Sequence, residues 1–278
     1  MNLMTFQQKL DALVTKNNSL VCVGLDSDWE KLPEIVKKEE YPQFAFNKAI
    51  VDATHDLVCA YKPNSAFYEY LGSEGIRQLK LSCDYIREKY PEIPIILDAK
   101  RADIGSTNKG YVSYAFDYLR VDAITLHPYL GAEAIQPFLD RKDKASIILC
   151  RTSNPGAKEF QDQIVGGEPL YKLVAKKVVN EWNKNGSCML VVGATYPEEL
   201  AEVRKLAGDM IFLVPGIGAQ GGEVEKTVKA GLNSKNAGII INSSRGIIFA
   251  SKEADFAEKA RFEAQKLQTE INKYRYVR

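Results

Sequence analysis

The segment Ile93-Pro-Ile-Ile-Leu-Asp-Ala-Lys-Arg-Ala-Asp-Ile104 sets two carboxylates and a lysine at the end of an apolar run. Ile95, Ile96 and Leu97 read as a buried strand, and Asp98, Lys100 and Asp103 follow at once. Buried strands rarely carry charge, so these residues mark where the chain leaves the core. Alternation along a strand sends Asp98 and Lys100 to the same side, with Asp103 on the loop beyond. A lysine held between carboxylates keeps its proton and can deliver it to a fixed point. Taken alone, the segment also fits a surface salt bridge at a strand end.

The elements that position these charges repeat along the chain. Short apolar runs occur at Leu20–Leu25, Leu57–Tyr61, Ile93–Leu97, Ala123–Leu126, Ser146–Cys150, Cys188–Val192, Met210–Val214 and Gly238–Ile241. Each is nearly continuous in hydrophobicity, as fully buried parallel strands are. Helical patterns lie between them, including Glu74–Lys89, Leu170–Asn183, Pro197–Leu206 and Gly222–Ala230, and Lys252–Tyr274 closes the chain. Eight alternations predict an α/β fold, a single (β/α)8 TIM barrel over residues 1–278, with an open doubly wound sheet as the alternative. Ser27–Phe46 reads as an elaborated loop with a helix. Asn154–Glu168, rich in Gly and Pro, reads as a mobile lid after the fifth strand.

In such a barrel the active site lies at the C-terminal ends of the strands. Strand one ends in Asp26 and strand two in Lys62. Strand five runs into Arg151-Thr152-Ser153-Asn154. Strand seven opens a glycine loop with Gly216, Gly218, Gly221 and Gly222, and strand eight leads to Arg245. Glycines let backbone N–H groups approach phosphate, and a guanidinium adds a bidentate partner. The last two loops therefore form a candidate anion site.

The 278 residues are 45% hydrophobic and 26% charged, with a net charge of +1. That balance suggests no nucleic-acid or membrane surface. The start lacks a basic segment followed by a long apolar stretch, so no signal peptide is expected. Four of the five cysteines, Cys22, Cys59, Cys150 and Cys188, sit in apolar runs. An odd number at wide spacing argues against disulfides or a zinc site, and a reducing cytoplasm fits best. His127 ends an apolar run. A lone histidine there is more often a packing or hydrogen-bonding residue than a catalyst.

Asp98-Ala-Lys100-Arg-Ala-Asp103-Ile104 resembles the Asp-X-Lys-X-X-Asp-Ile signature of the orotidine 5′-monophosphate decarboxylases. With Asp26, Lys62, Ser153, Gln220 and Arg245 the resemblance extends over essentially the whole chain. The Thr152-Ser153-Asn154-Pro155-Gly156 loop resembles the longer bacterial branch. One departure is Asn242-Ser243-Ser244-Arg245-Gly246, where shorter members carry a Gly-Arg pair. The resemblance implies conversion of orotidine 5′-monophosphate to uridine 5′-monophosphate in pyrimidine biosynthesis, with no cofactor and no metal. It implies that Lys100 donates a proton to C6 and Asp98 sits beside the substrate carboxylate. Lys62 and Asp103 would complete an alternating array, with Asp103, Ile104 and Thr107 supplied by the other subunit of a homodimer. Asp26 would bind ribose, Ser153 the pyrimidine edge, and Gln220 and Arg245 phosphate. Two other readings share the scaffold: a magnesium-dependent sugar-phosphate lyase or decarboxylase, and a non-catalytic phosphate-ligand binding barrel. A Schiff-base aldolase is disfavoured, because flanking carboxylates raise a lysine pKa that such enzymes need lowered.

Overall fold

A computed structural model describes residues 4–217 and 223–276. Eight strands run parallel: β1 (Val21–Gly24), β2 (Ala60–Lys62), β3 (Ile96–Arg101), β4 (Ala123–Leu126), β5 (Ala145–Arg151), β6 (Cys188–Val192), β7 (Phe212–Pro215) and β8 (Ile239–Ser243). Their order in the sheet is β2-β1-β8-β7-β6-β5-β4-β3. Bridges from Tyr61 to Ile95 and from Asn64 to Asp98 join the two ends into a barrel. The continuous apolar runs have their explanation here. Barrel strands are covered by side chains inside and by helices outside, and β1, β2, β4 and β6 are buried along their whole length.

The helices bury one stripe each. Gly72–Lys89 turns Leu79, Cys83 and Ile86 to the sheet. Phe256–Arg275 buries Phe256, Ala260, Ala264, Leu267 and Ile271, a spacing that keeps them on one face. Phe46 stacks on Phe249 and Phe256 at centroid separations of 5.6 and 5.2 Å, tying that helix to Pro42–Thr54. The first helix, Phe6–Lys16, opens with a capping box between Thr5 and Gln8. It lies against the starts of β4 and β5, where Lys9 pairs with Asp122 at 2.8 Å and the Phe6 N–H donates to the Asp143 carbonyl. Among the described residues no helix is long and apolar enough to cross a membrane. All five cysteines are buried and free.

Two segments differ from the sequence reading. Asp98 and Lys100 lie on β3, which continues to Arg101, but the regular alternation expected of them is broken by an irregular register with β4 and a positive φ at Lys100. The expected lid has structure of its own. Pro155–Glu159 forms a 3-10 turn, and Ile164–Val165 pairs antiparallel with Glu168–Pro169 in a hairpin. Gly166 and Gly167, at φ +63° and +90°, supply the left-handed turn that such a short hairpin requires. The segment is tied down at its base. Thr152 N–H donates to Gln161 Oε1 at 2.9 Å, Gln161 Nε2 donates to Thr152 Oγ1 at 2.8 Å, and Arg151 pairs with Asp162.

Candidate active site

The strands' C-terminal ends surround a cavity of about 290 Å³. Asp26, Lys62, Asp98, Lys100, Ser153 and Arg245, six of the residues singled out from the sequence, all line it. Parallel closure brings them together, because each follows its own strand to the same rim.

Asp98 is the hub. Its Oδ2 accepts from Lys62 Nζ at 3.0 Å and from Asn64 Nδ2 at 3.4 Å. Its Oδ1 accepts from Lys100 Nζ at 2.7 Å and from Thr125 Oγ1 at 2.8 Å. Burial pushes the Asp98 carboxyl up, but the ammonium groups of Lys62 and Lys100 outweigh it and hold the carboxyl below the usual carboxylate range. Burial likewise pushes Lys62 down, and Asp98 with Asp26 outweighs it, raising the ammonium above its ordinary value. Asp98 and Lys62 therefore hold their charges across neutral pH. The two lysines differ in access: the side chain of Lys62 is 4% exposed and that of Lys100 is 50% exposed. Lys62 is locked into the wall, and Lys100 faces the open cavity.

The opposite walls are polar. Asp26 Oδ1 and Asn242 Oδ1 are buried and have no hydrogen-bond partner among the described residues, so each offers an acceptor to a ligand hydroxyl or N–H. Asn242 sits on β8 beside Gly24, where a Cβ would come 1.7 Å from Ser244 Oγ. Only glycine at that position leaves room for the strand-eight loop. Gly193 does the same for strand five, since a Cβ there would approach Ser153 Oγ to 2.8 Å and Ser153 N to 3.1 Å. Gly216, at φ +101°, and the exposed Arg245 line the cavity at the ends of β7 and β8. Gln220, Gly218, Gly221 and Gly222 lie outside the described residues.

Asp103, Ile104 and Thr107 do not line the cavity. Asp103 Oδ1 accepts from the Ile104 N–H at 2.7 Å, and Ile104 is 56% exposed. They sit at the start of the helix Gly105–Ser113, with Ile104 and Thr107 exposed and Asp103 half-buried. His127 is a hydrogen-bonding residue outside the cavity lining, with Nε2 2.9 Å from the Ala102 carbonyl. Sequence reasoning missed Thr125 and Asn64, and it placed Asn242 at the end of strand eight without giving it a role. A hydroxyl in the otherwise apolar Ala123-Ile124-Thr125-Leu126 was the signal for the first, and amides just past or at a strand end for the others. Among the described residues no group of three or more His, Cys, Asp or Glu side chains converges as a metal-ligand set.

Residues 19–260 match the model of the family described as Orotidine 5'-phosphate decarboxylase / HUMPS family. A protein of Cellvibrio japonicus named orotidine 5'-phosphate decarboxylase is 51% identical over 271 residues, covering 97% of this chain and 98% of that one. The solved OMP decarboxylase of Leishmania donovani superposes with a TM-score of 0.86 at 38% identity, covering 99% of this chain and all of that one. The UMP synthase of the same organism gives a TM-score of 0.88 at 39% identity, and there the match covers 99% of this chain but 57% of the synthase. With a family match over most of its length and a half-identical relative over nearly all of it, the chain belongs to the orotidine 5'-phosphate decarboxylase / HUMPS family.

Proposed function

We propose that this chain, acting as one catalytic domain, decarboxylates orotidine 5′-monophosphate to uridine 5′-monophosphate in pyrimidine biosynthesis. The observation that carries the reading is the Lys62–Asp98–Lys100 array, with one lysine buried and the other facing the cavity. Breaking the bond from C6 to the carboxylate carbon releases carbon dioxide and leaves an electron pair on C6. No adjacent carbonyl can delocalise that pair. A fixed ammonium stabilises it as it forms and then protonates it. Lys100 is placed to do both, and its exposure lets solvent return the proton. Asp98 stands beside the departing carboxylate, where like charge is relieved as carbon dioxide leaves.

The remaining roles follow the walls of the cavity. Asp26 binds ribose hydroxyls, Ser153 the pyrimidine edge, and Arg245, with Gln220, the phosphate. Binding the remote phosphate supplies energy that is used at the reacting carbon. Asp103, Ile104 and Thr107 enter the site of a second copy in a homodimer. Their absence from the lining of this chain's own cavity, with Ile104 exposed, supports this. Five free, buried thiols fit a cytoplasmic location.

The test is the ultraviolet change of orotidine 5′-monophosphate with purified protein, with and without EDTA. Turnover unaffected by chelator is expected. Activity lost with EDTA and restored by magnesium would point to the sugar-phosphate branch instead.

A further inference from the structure

The stretch of chain that carries Lys100 is strained. Lys100 has φ +48° and Ala102 φ +149°, both in a region L-residues rarely adopt. The register runs from Leu97↔Ile124 to Arg101↔Leu126, so β3 uses four steps where β4 uses two. A bulge of this kind re-aims a side chain, and here it brings the Lys100 ammonium to Asp98. Such a conformation persists only where the surroundings over-determine it.

The ties come from β4 and its end. Thr125 Oγ1 accepts from the N–H groups of Ala99 and Lys100, both at 3.0 Å, and donates to Asp98 Oδ1. Two residues on, the backbone N–H of His127 donates to the Arg101 carbonyl at 3.0 Å. The ring Nδ1 of His127 accepts from the Tyr129 N–H at 3.3 Å, so Nε2 carries the proton and donates to the Ala102 carbonyl at 2.9 Å. His127 thus holds two successive carbonyls of the bulge. Arg101 adds a bond from Nη1 to the Ala99 carbonyl and pairs with Glu69, and neither contact reaches Ala102.

We infer that His127 is a positioning residue: as a neutral hydrogen-bond donor it locks the strained bulge that aims Lys100 at the reacting carbon. This role presupposes the decarboxylase reading. Because His127 lies outside the cavity lining, its loss falls on the chemical step and spares substrate binding.

Two variants separate the lock from a general structural role. In His127→Gln the amide nitrogen extends about as far as Nε2 and can still donate to Ala102. In His127→Asn it reaches only the place of Nδ1 and cannot. H127N is expected to lower kcat roughly 100-fold, the effect of a misplacement of about 1 Å. KM and uridine 5′-monophosphate affinity should stay within about threefold of wild type, as for an interaction made only in the transition state. H127Q should restore most of kcat. Crystal structures give a readout independent of activity: Lys100 should leave positive φ and lose Asp98 in H127N, and keep both in H127Q. Wild-type kcat in H127N, equal impairment of both variants, or an unmoved Lys100 in H127N each overturns the inference. Should H127N fail to fold, H127Q decides. Turnover near wild type with Lys100 in place supports the lock, whereas Lys100 in place without turnover gives the ring an acid–base role and overturns it. Absence of turnover in the wild-type protein defeats the decarboxylase reading instead, and the Lys100 geometry in the two crystal structures still judges the lock.

Discussion

Asp98 accepts from four donors, and that arrangement separates the two lysines. Lys62 is enclosed and saturates a carboxylate, while Lys100 spends one bond on Asp98 and keeps the rest of its ammonium for a ligand. Lys100→Ala is therefore expected to lower kcat by ~1000-fold or more, the scale seen when a preorganised charge partner is removed. Uridine 5′-monophosphate binding by calorimetry should survive, because the residues proposed to hold phosphate and ribose are other ones. The same array predicts a pH dependence of stability. Asp98 has its folded pKa depressed, so its stabilising contribution is complete above the unfolded value of about 3.9 and is lost as pH falls from there through the folded value. Lys62 is raised, so its contribution is complete below about 10.4 and is lost only as pH rises through its folded value. In urea unfolding, wild type should exceed Asp98→Asn by a constant margin from about pH 5 to 9, and the margin should shrink below about pH 4. A margin that already changes near neutrality would mean that another group titrates in the array. The charged residues were legible because charge at the end of an apolar run is anomalous. His127 read as a packing or hydrogen-bonding residue and Thr125 is a hydroxyl in an apolar run, but the bonds they make were not legible, because those depend on a bulge that no periodicity announces.

At the scale of elements, the eight apolar runs match the eight strands closely, since a strand buried on both faces must be apolar throughout. The boundaries moved where local chemistry competed with that rule. The run ending at Leu97 reads as finished because Asp98 and Lys100 are charged, yet Thr125 supplies the hydrogen bonds that keep the chain on the sheet to Arg101. The pattern from Leu170 to Asn183 reads as one helix. It is α-helical only to Lys177 and widens to a π-turn at Val178–Trp182. Glycine content in Asn154–Glu168 read as mobility, whereas two of those glycines form a hairpin tip. Gly24 has a different use, because it vacates the space that Ser244 fills. Gly24→Ala should displace the strand-eight loop and, with it, Arg245. The expected overpacking cost is about 1–3 kcal/mol of stability, read as a lowered Tm. The accompanying rise in KM for the phosphorylated substrate would distinguish displacement of the loop from a shift confined to β1. An unchanged Tm and KM would show that Ser244 can rotate away freely.

At the scale of the whole molecule, the barrel brings Asp26, Lys62, Asp98, Lys100, Ser153 and Arg245 to one rim, while Asp103, Ile104 and Thr107 do not line the cavity and Gln220 lies outside the described residues. No pattern in a single chain encodes a second copy, and the proposed dimer is what would give Asp103, Ile104 and Thr107 a role. The hypothesis is a twofold dimer in which each site takes Lys100 from one chain and Asp103 from the other. The motive is that none of the three lines this chain's own cavity and that Ile104 among them is exposed. Lys100→Ala and Asp103→Ala should each be inactive alone. When the two exchange subunits, a mixed dimer has one site lacking both residues and one site retaining both. Random exchange makes half the dimers mixed and leaves half of their sites whole, so activity should rise to roughly a quarter of wild type by the symmetry of a twofold interface. Native mass spectrometry can establish that exchange has occurred. Mixed dimers without recovered activity would mean that Lys100 and Asp103 serve the same chain, and the rim would then have to bend Asp103 inward when substrate binds.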